Sequence, residues 1–430
     1  EKEIGMAGSV LNFLTIILGG GLLGWPSVFK QGGMFGGVLI SCLLCFLSER
    51  TLTLIVDIGI WSRSESYEVT CYNVWGMPGY YLIALSCFMI DFGVLVSYWV
   101  MLGDLLQPVI LDLSHIGGSI SHLSGGVSTT AVKLVFAVIL FPFCLSPSMA
   151  GLAKWSMFNL LLMLVCGAVL ILAICLKQTP EGGVLHQEPQ LINPGFWPAM
   201  GTMAFTYVNH DSAFSIYHTL SRGNSDEATR NRWAIVCHVS MWSTVILTLI
   251  FGLPVYCRLG DATQSDVMNN VSDDWVMSLT RSILAVNVSI TMVYLQQVGR
   301  RFLRSLLMPL WWFCQHGFGE RFWQLVHSQA DYHQLTQAEL WTFTLLQWGV
   351  AALLGAFVGD LGPPMQLTGV LAQAMAAFVI PPLLLFSLRW KDPSSLAHYG
   401  KASIMLFTCV LIFGLLSCSY GVVNVLSSHA

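Results

Sequence analysis

The sequence predicts an all-α membrane protein of about eleven transmembrane helices: two matched groups of five, forming an inverted repeat, and one extra helix. Three observations predict it. Of 430 residues, 55% are hydrophobic and only 10% charged, whereas a soluble domain carries roughly 25% charged residues. A mean hydropathy of +0.68 leaves more apolar surface than a globular core could hide. Second, apolar runs of about 20 residues, the length that crosses a bilayer, recur along the chain. Third, the first and sixth runs are interrupted at matching positions, the sequence mark of an inverted-repeat transporter and of its binding site.

In order, the spans fall near 8–29, 34–57, 79–107, 131–146, 154–177, 195–220, 231–257, 275–298, 340–359, 365–388 and 402–426. They form one transmembrane domain over 1–430, with repeat 1 near 8–177, repeat 2 near 195–388 and the extra helix near 402–426. The chain opens on Glu1 rather than Met, as trimmed ends would leave it, and no cleavable signal is visible.

Span 1 contains Thr15-Ile-Ile-Leu-Gly-Gly-Gly-Leu-Leu-Gly-Trp-Pro26. Each glycine costs a helix about 1 kcal/mol against alanine. In hydrocarbon, irregular backbone survives only where protein buries it or where it lines a wet cavity. Gly19–Gly21 is therefore expected to separate two half-helices. The amides that open the second half then favour an anionic group. Gly32, Gly33, Gly36 and Gly37 follow small-xxx-small spacing, which lets helices pack closely. Cys42 and Cys45 form a CxxC inside an apolar run with no second pair, so they read as structural thiols. Nothing fixes a disulfide between Cys175 and Cys257, although both fall near the same side.

Span 3 carries Asp91 in the middle of an apolar run. Span 6 carries Asn209, His210, Asp211 and Ser212 at its centre. A charge at mid-membrane costs at least about 3 kcal/mol, so it normally faces a cavity or a partner. Asp91 could hold a proton, pair with a cationic substrate, or be tied to a neighbouring helix. His210 is either a pH-responsive group or a neutral imidazole that holds the break together. Together Asp91 and Asp211 raise a cationic substrate as an alternative.

Lys and Arg set the expected orientation. With the N-terminus in the cytosol, only Lys30, Lys133, Lys177, Arg258 and Arg281 of the 19 basic residues fall on the outer half. Eleven crossings then place the C-terminus outside or in a lumen. The sequon Asn270-Val271-Ser272 lies in an outer loop, where a glycan could be added. Asn287-Val288-Ser289 sits mid-span, where none could. Residues 299–339 read as a basic, tryptophan-bearing stretch on the inner leaflet, with a solvated linker as the alternative.

The stretch from Asn12 through Gly19, Gly21, Gly24 and Pro26 to Lys30-Gln31 resembles the first helix of the amino acid/auxin permease family, in its sodium-coupled neutral amino acid transporter branch. His210 and Tyr217 match that branch in span 6, and Arg281 and Thr291 match it in span 8. The chain departs from the branch at Asp91, Asn209 and Asp211. The resemblance implies a fold of the leucine-transporter type and secondary active transport of an amino acid coupled to Na+ or H+, with no other cofactor. It implies a substrate carboxylate on the amides of Gly19, Gly20 and Gly21. The substrate ammonium would meet carbonyls around Phe205, Tyr207 and Val208, beside Asn209 and His210. It also implies a sodium ion held by the carbonyls of Thr15 and Leu18, the Thr291 hydroxyl, and a carbonyl at Asn287 or Val288. The partners expected are an amino acid and the lipid bilayer of the plasma membrane or of an endomembrane such as the lysosome, with the chain a monomer.

Gly19-x-Gly-x-x-Gly24 also matches a dinucleotide fingerprint, but no strand precedes it. No zinc-protease motif, P-loop or nucleic-acid patch is present. An amino acid sensor and an intramembrane enzyme using the Asp/His cluster are the rival readings.

Overall fold

The structure, a computed structural model, describes residues 6–18, 20–116, 128–145, 156–176, 193–221, 226–271, 274–316 and 337–428. Among these residues every regular element is helical. Span 1 is α1 (Met6–Leu18), a tight turn over Gly20–Gly24, and α2 (Trp25–Gly32), the two halves bent by 49°. Pro26 opens α2, where its missing N–H costs nothing. Span 2 is α3 (Met34–Trp61), followed by a short helix α4 (Tyr67–Trp75) that the hydropathy pattern did not signal. Spans 3, 4 and 5 are α5 (Met77–Ile116), α6 (Thr129–Cys144) and α7 (Ser156–Leu176).

Span 6 is α8 (Phe196–Tyr207), an interruption, and α9 (Ala213–Ser221). Spans 7, 8 and 9 are α10 (Asp226–Leu259), α11 (Trp275–His316) and α12 (Gln337–Phe357). Span 10 runs from α13 (Gly362–Thr368) through two wide π turns into α14 (Ile380–Lys391). Span 11 is α15 (Lys401–Leu416), a third π turn, and α16 (Val422–Ser428). Eight of these helices are long and apolar enough to cross a bilayer unaided. With the bent span 1, the 16-residue span 4 and the interrupted span 6, the architecture is compatible with eleven crossings.

Spans 3 and 10 lie at the centre, 72% and 78% buried over their apolar windows, whereas span 11 is 22% buried and peripheral. Spans 6 and 10 cross backbone to backbone. A Cβ on Gly201 would strike the Gln366 main chain, and one on Gly369 would strike the Gly201 carbonyl. The glycines after span 1 divide their roles. Gly33 takes φ 86°, turning the chain between α2 and α3, while Gly37 lets α3 approach the Phe29 ring to 2.8 Å from its missing Cβ.

Span 8 does not end near 298. α11 continues through Arg300 and Arg301 as far as His316, so residues 299–316 are part of a long helix rather than a separate surface-lying stretch. The physical reason is at Arg300, which is fully buried. Its guanidinium donates to the Cys144 carbonyl at 2.9 Å and to Thr344 Oγ1 at 2.8 Å, so the end of α6 receives the charge. Arg301 lies 3.8 Å from Glu68 of α4. Residues 317–336 of the expected inner-leaflet segment lie outside the described residues. Cys175 and Cys257 are both exposed and unbonded.

Gly201→Val should lower the thermal unfolding midpoint of the detergent-solubilised protein, at a cost of about 1–3 kcal/mol from overpacking. Gly349→Ala, with nothing within 4 Å of the added Cβ, should leave that midpoint unchanged.

Candidate substrate site at the two breaks

α1 stops at Leu18, and Gly19 lies outside the described residues. Gly20 starts the tight turn, and Gly21 packs directly on span 6, its missing Cβ 3.0 Å from Thr206 Oγ1 and 3.7 Å from the Phe205 ring. Trp25, fully buried, donates its Nε1 proton to Thr206 Oγ1 at 3.1 Å. Its ring meets Tyr207 edge-on with centroids 5.5 Å apart. The two interrupted spans are thus clamped to each other at their breaks.

α8 ends at Tyr207, where Val208 turns extended (φ −102°, ψ 107°). A helix that ends inside the bundle leaves carbonyls that must be satisfied. Gln373, in the π turn of span 10, supplies the donor: its Nε2 lies 3.1 Å from the Phe205 carbonyl and 3.5 Å from that of Val208. Asn209 Nδ2 caps the Thr206 carbonyl at 3.0 Å. Of the carbonyls expected to meet an ammonium, those of Phe205 and Val208 are therefore held by a neutral amide. Gln373 Oε1 has no partner. Tyr207 contributes its side chain, the hydroxyl lying 2.6 Å from Ser41 Oγ and 3.2 Å from Thr248 Oγ1.

His210 is fully buried, with Nε2 2.8 Å from Thr51 Oγ1. Thr51 Oγ1 also lies 3.1 Å from the Leu47 carbonyl, so it can accept from His210 Nε2 or donate to it. Nδ1 has no partner. Asp211 Oδ2 accepts from Ser212 Oγ at 3.0 Å. Asp91 is not beside the glycine break. It packs against Gly299 of span 8, within reach of the Asp211 charge.

A narrow cavity borders the first break, lined by Leu22 and Leu23 of span 1, Met101, four residues of span 5, and Leu284, Asn287 and Val288 of span 8. It sets Asn287 and Val288 of span 8 opposite Leu22 and Leu23 of span 1, and its lining is almost wholly apolar. The hydroxyls are committed locally: Thr291 Oγ1 donates to the Asn287 carbonyl at 3.0 Å and Thr15 Oγ1 to Leu11 at 2.8 Å. Asn287 Nδ2 reaches the Asn159 carbonyl of α7 at 3.0 Å. Leu18 is buried at the end of α1.

Sequence reasoning missed Gln373. A neutral carboxamide escapes a search for charges, although a Gln within an apolar run is the same kind of signal.

A profile of the family described as "Transmembrane amino acid transporter protein" matches residues 2–427. The chain belongs to this family. A mouse "Putative sodium-coupled neutral amino acid transporter 11" is 26% identical over 383 residues, covering 87% of this chain and 76% of that protein. The human protein of the same name is 24% identical over 396 residues, covering 90% and 87%. The yeast "Vacuolar amino acid transporter 2" is 22% identical over 404 residues, covering 91% and 79%. Among solved structures, a mutant manganese transporter of Eremococcus coleocola superposes with a TM-score of 0.50 at 10% identity. It covers 98% of this chain and 94% of its own, and so shares the fold. The chain is thus a multi-pass membrane protein of an amino acid transporter family, not an enzyme.

The loop after span 7 carries Asn270. Its Nδ2 donates to the Ala262 carbonyl at 2.7 Å, while its Oδ1 accepts from Gln264 N at 2.8 Å. Arg281 ties this loop to span 8, donating to the carbonyls of Met268 and Val271 at 3.1 and 3.3 Å. Beside it, Asp266 is fully buried with Oδ2 unpartnered. Burial, then the charge of Asp104, pushes its carboxyl from 3.8 up to about 7, against the Met268 N–H and Arg281. An acid raised on folding keeps its proton longer in the native loop, so stability is complete below about pH 4 and is lost towards pH 7. Asp266→Asn should remove that loss. The unfolding midpoint of the variant should exceed wild type at about pH 8 and match it at about pH 4.

Proposed function

We propose that the chain is a secondary active transporter that moves a small zwitterionic amino acid by alternating access, coupled to Na+ or H+. The observation that carries this is the mutual clamp of two interrupted spans, with main-chain carbonyls of span 6 held by a side-chain amide instead of by helix. Half-helix polarity supports the division of labour: the amides at Gly20 and Gly21 take the carboxylate, and the carbonyls of Phe205 and Val208 take the ammonium. Gln373 then holds those carbonyls while the site is empty and yields them when the ammonium arrives. Spans 1–5 and 6–10 would be the two repeats that rock about this point. Sodium would sit between spans 1 and 8, near Leu18, Asn287, Val288 and Thr291. The orientation that fits is a cytosolic N-terminus and an outer or lumenal C-terminus.

Uptake of labelled glutamine into proteoliposomes, under an inward Na+ or H+ gradient, tests this reading. Accumulation above the equilibrium level is expected. Gly21→Val, which drives a methyl into Thr206, should abolish it. Gln373→Leu, which leaves the Phe205 and Val208 carbonyls unmet in the empty site, should destabilise the substrate-free protein by about 1–3 kcal/mol and enlarge the rise in unfolding midpoint on adding substrate. Thr291→Ala should raise the sodium concentration for half-maximal uptake. A lysine preference over glutamine would instead favour the cationic-substrate alternative. Substrate binding with no uptake by any gradient would leave the sensor reading standing.

A further inference from the structure

A second polar cluster lies where spans 3, 8 and 9 meet, within electrostatic reach of the break in span 6. Asp91 of α5 is 1% exposed and its Oδ2 has no hydrogen-bond partner. Facing it is Gly299 of α11, where an added Cβ would lie 3.2 Å from Asp91 Cβ and would collide with the amide nitrogen of Gln347. Glycine at this position lets an acid from span 3 and a carboxamide from span 9 converge on span 8. Gln347 is 1% exposed, and neither its Nε2 nor its Oε1 has a partner. Gln296 stands three residues before Gly299, on the same face of α11. It is fully buried, and both ends of its amide are also unpartnered. So many unmet donors and acceptors in one dry place require an explanation.

The charges facing Asp91 narrow the choice. Asp211, from the break of span 6, repels it, and Arg301 of α11 attracts it. Arg301 already lies 3.8 Å from Glu68, and Arg300 is engaged with Cys144 and Thr344. Cys87, one turn away on Asp91's own helix, feels Asp211, Glu68 and Asp91 alike. An ionised carboxylate buried there with another acid nearby is costly unless something neutralises it. A metal cation would use the carboxylate and amide oxygens but leave both amide nitrogens unmet. A proton lets the acid itself be met: its O–H donates to a carboxamide oxygen while its carbonyl oxygen accepts from a carboxamide N–H.

We propose that Asp91, with Gln347 and Gln296, forms a binding site for one exchangeable proton between spans 3, 8 and 9, and that this proton is a coupling ion. The proposal rests on the transport reading above and names its driving ion. The chemical step is proton transfer alone. Hydronium gives up its proton, an O–H bond forms on Asp91, and the neutral acid pairs with the two amides; release on the other side of the membrane reverses it.

The full chain in proteoliposomes loaded with a pH-sensitive dye tests it. With amino acid outside and an inward proton gradient, wild type should accumulate substrate and acidify the lumen. Asp91→Asn should lose both by at least tenfold, yet continue to exchange labelled for unlabelled amino acid at equal pH. Gln347→Leu, which keeps the acid, should shift the pH of half-maximal uptake. Proton-driven accumulation and dye acidification that survive in Asp91→Asn overturn the site. A wild type that neither accumulates nor exchanges overturns the transport reading instead. In that case infrared difference spectra of the purified full chain decide the site independently. A protonated-carboxyl band at neutral pH that disappears in Asp91→Asn supports it, and absence of that band from wild type overturns it.

Discussion

A membrane interior offers no water to a broken backbone, and that constraint organises this structure. Two helices stop halfway, and each leaves polar main-chain groups that would cost several kcal/mol apiece in hydrocarbon. The fold answers by placing the breaks against each other. Gly21 has no side chain, so the turn after α1 can reach Thr206; Trp25 pins that contact with its indole N–H. Gln373 crosses from span 10 to the carbonyls of Phe205 and Val208. A satisfied break of this kind is also an exchangeable one. An amide side chain holds a carbonyl less strongly than a cation does, since charge-assisted hydrogen bonds are roughly twice as strong. The same contacts that make the empty protein stable therefore leave room for a ligand of higher charge.

The glutamines follow a common pattern. Gln373, Gln347 and Gln296 are all buried in spans, and each has at least one unmet polar atom. A buried carboxamide costs far less than a charge, and it can both donate and accept. It suits a site that must be filled in one state and emptied in another. Span 10 prepares Gln373 for this with its π turns, which interrupt the regular ladder near the crossing with span 6. Gly201 and Gly369 bring the two backbones into contact there, and the carboxamide needs no long reach.

Much of this was legible in the sequence. The positions of the spans, the break after Leu18 and the break near Asn209 follow from hydropathy, glycine and polar residues read along one chain. What was not legible depends on which helix faces which. Arg300 reads as an inner-leaflet charge because sequence cannot show that the carbonyl of Cys144 and the hydroxyl of Thr344 converge on it. His210 reads as either a sensor or a brace; only Thr51, supplied by span 2, gives it a partner. Gly299 reads as one glycine among 39, and its role appears only when Asp91 and Gln347 are seen on either side. Sequence pattern places polar groups at a depth in the membrane, and packing decides what they meet.

Span 8 would link the two proposed sites mechanically. α11 runs from Trp275 to His316, and no proline falls between Asn287 and Gly299. Asn287 and Val288 line the cavity beside the turn of span 1, and Gly299 packs on Asp91 eleven residues later, about 17 Å along the axis at 1.5 Å per residue. A continuous helix moves both ends together, so a shift of span 1 towards or away from Asn287 is felt at Asp91. Thermodynamic linkage requires such an element: two ligands are coupled only if each favours a different setting of something they share. Span 3 adds a second connection, with Met101 on the cavity and Asp91 on the same helix. Two helices that touch both proposed sites would leave little scope for one to fill without the other responding.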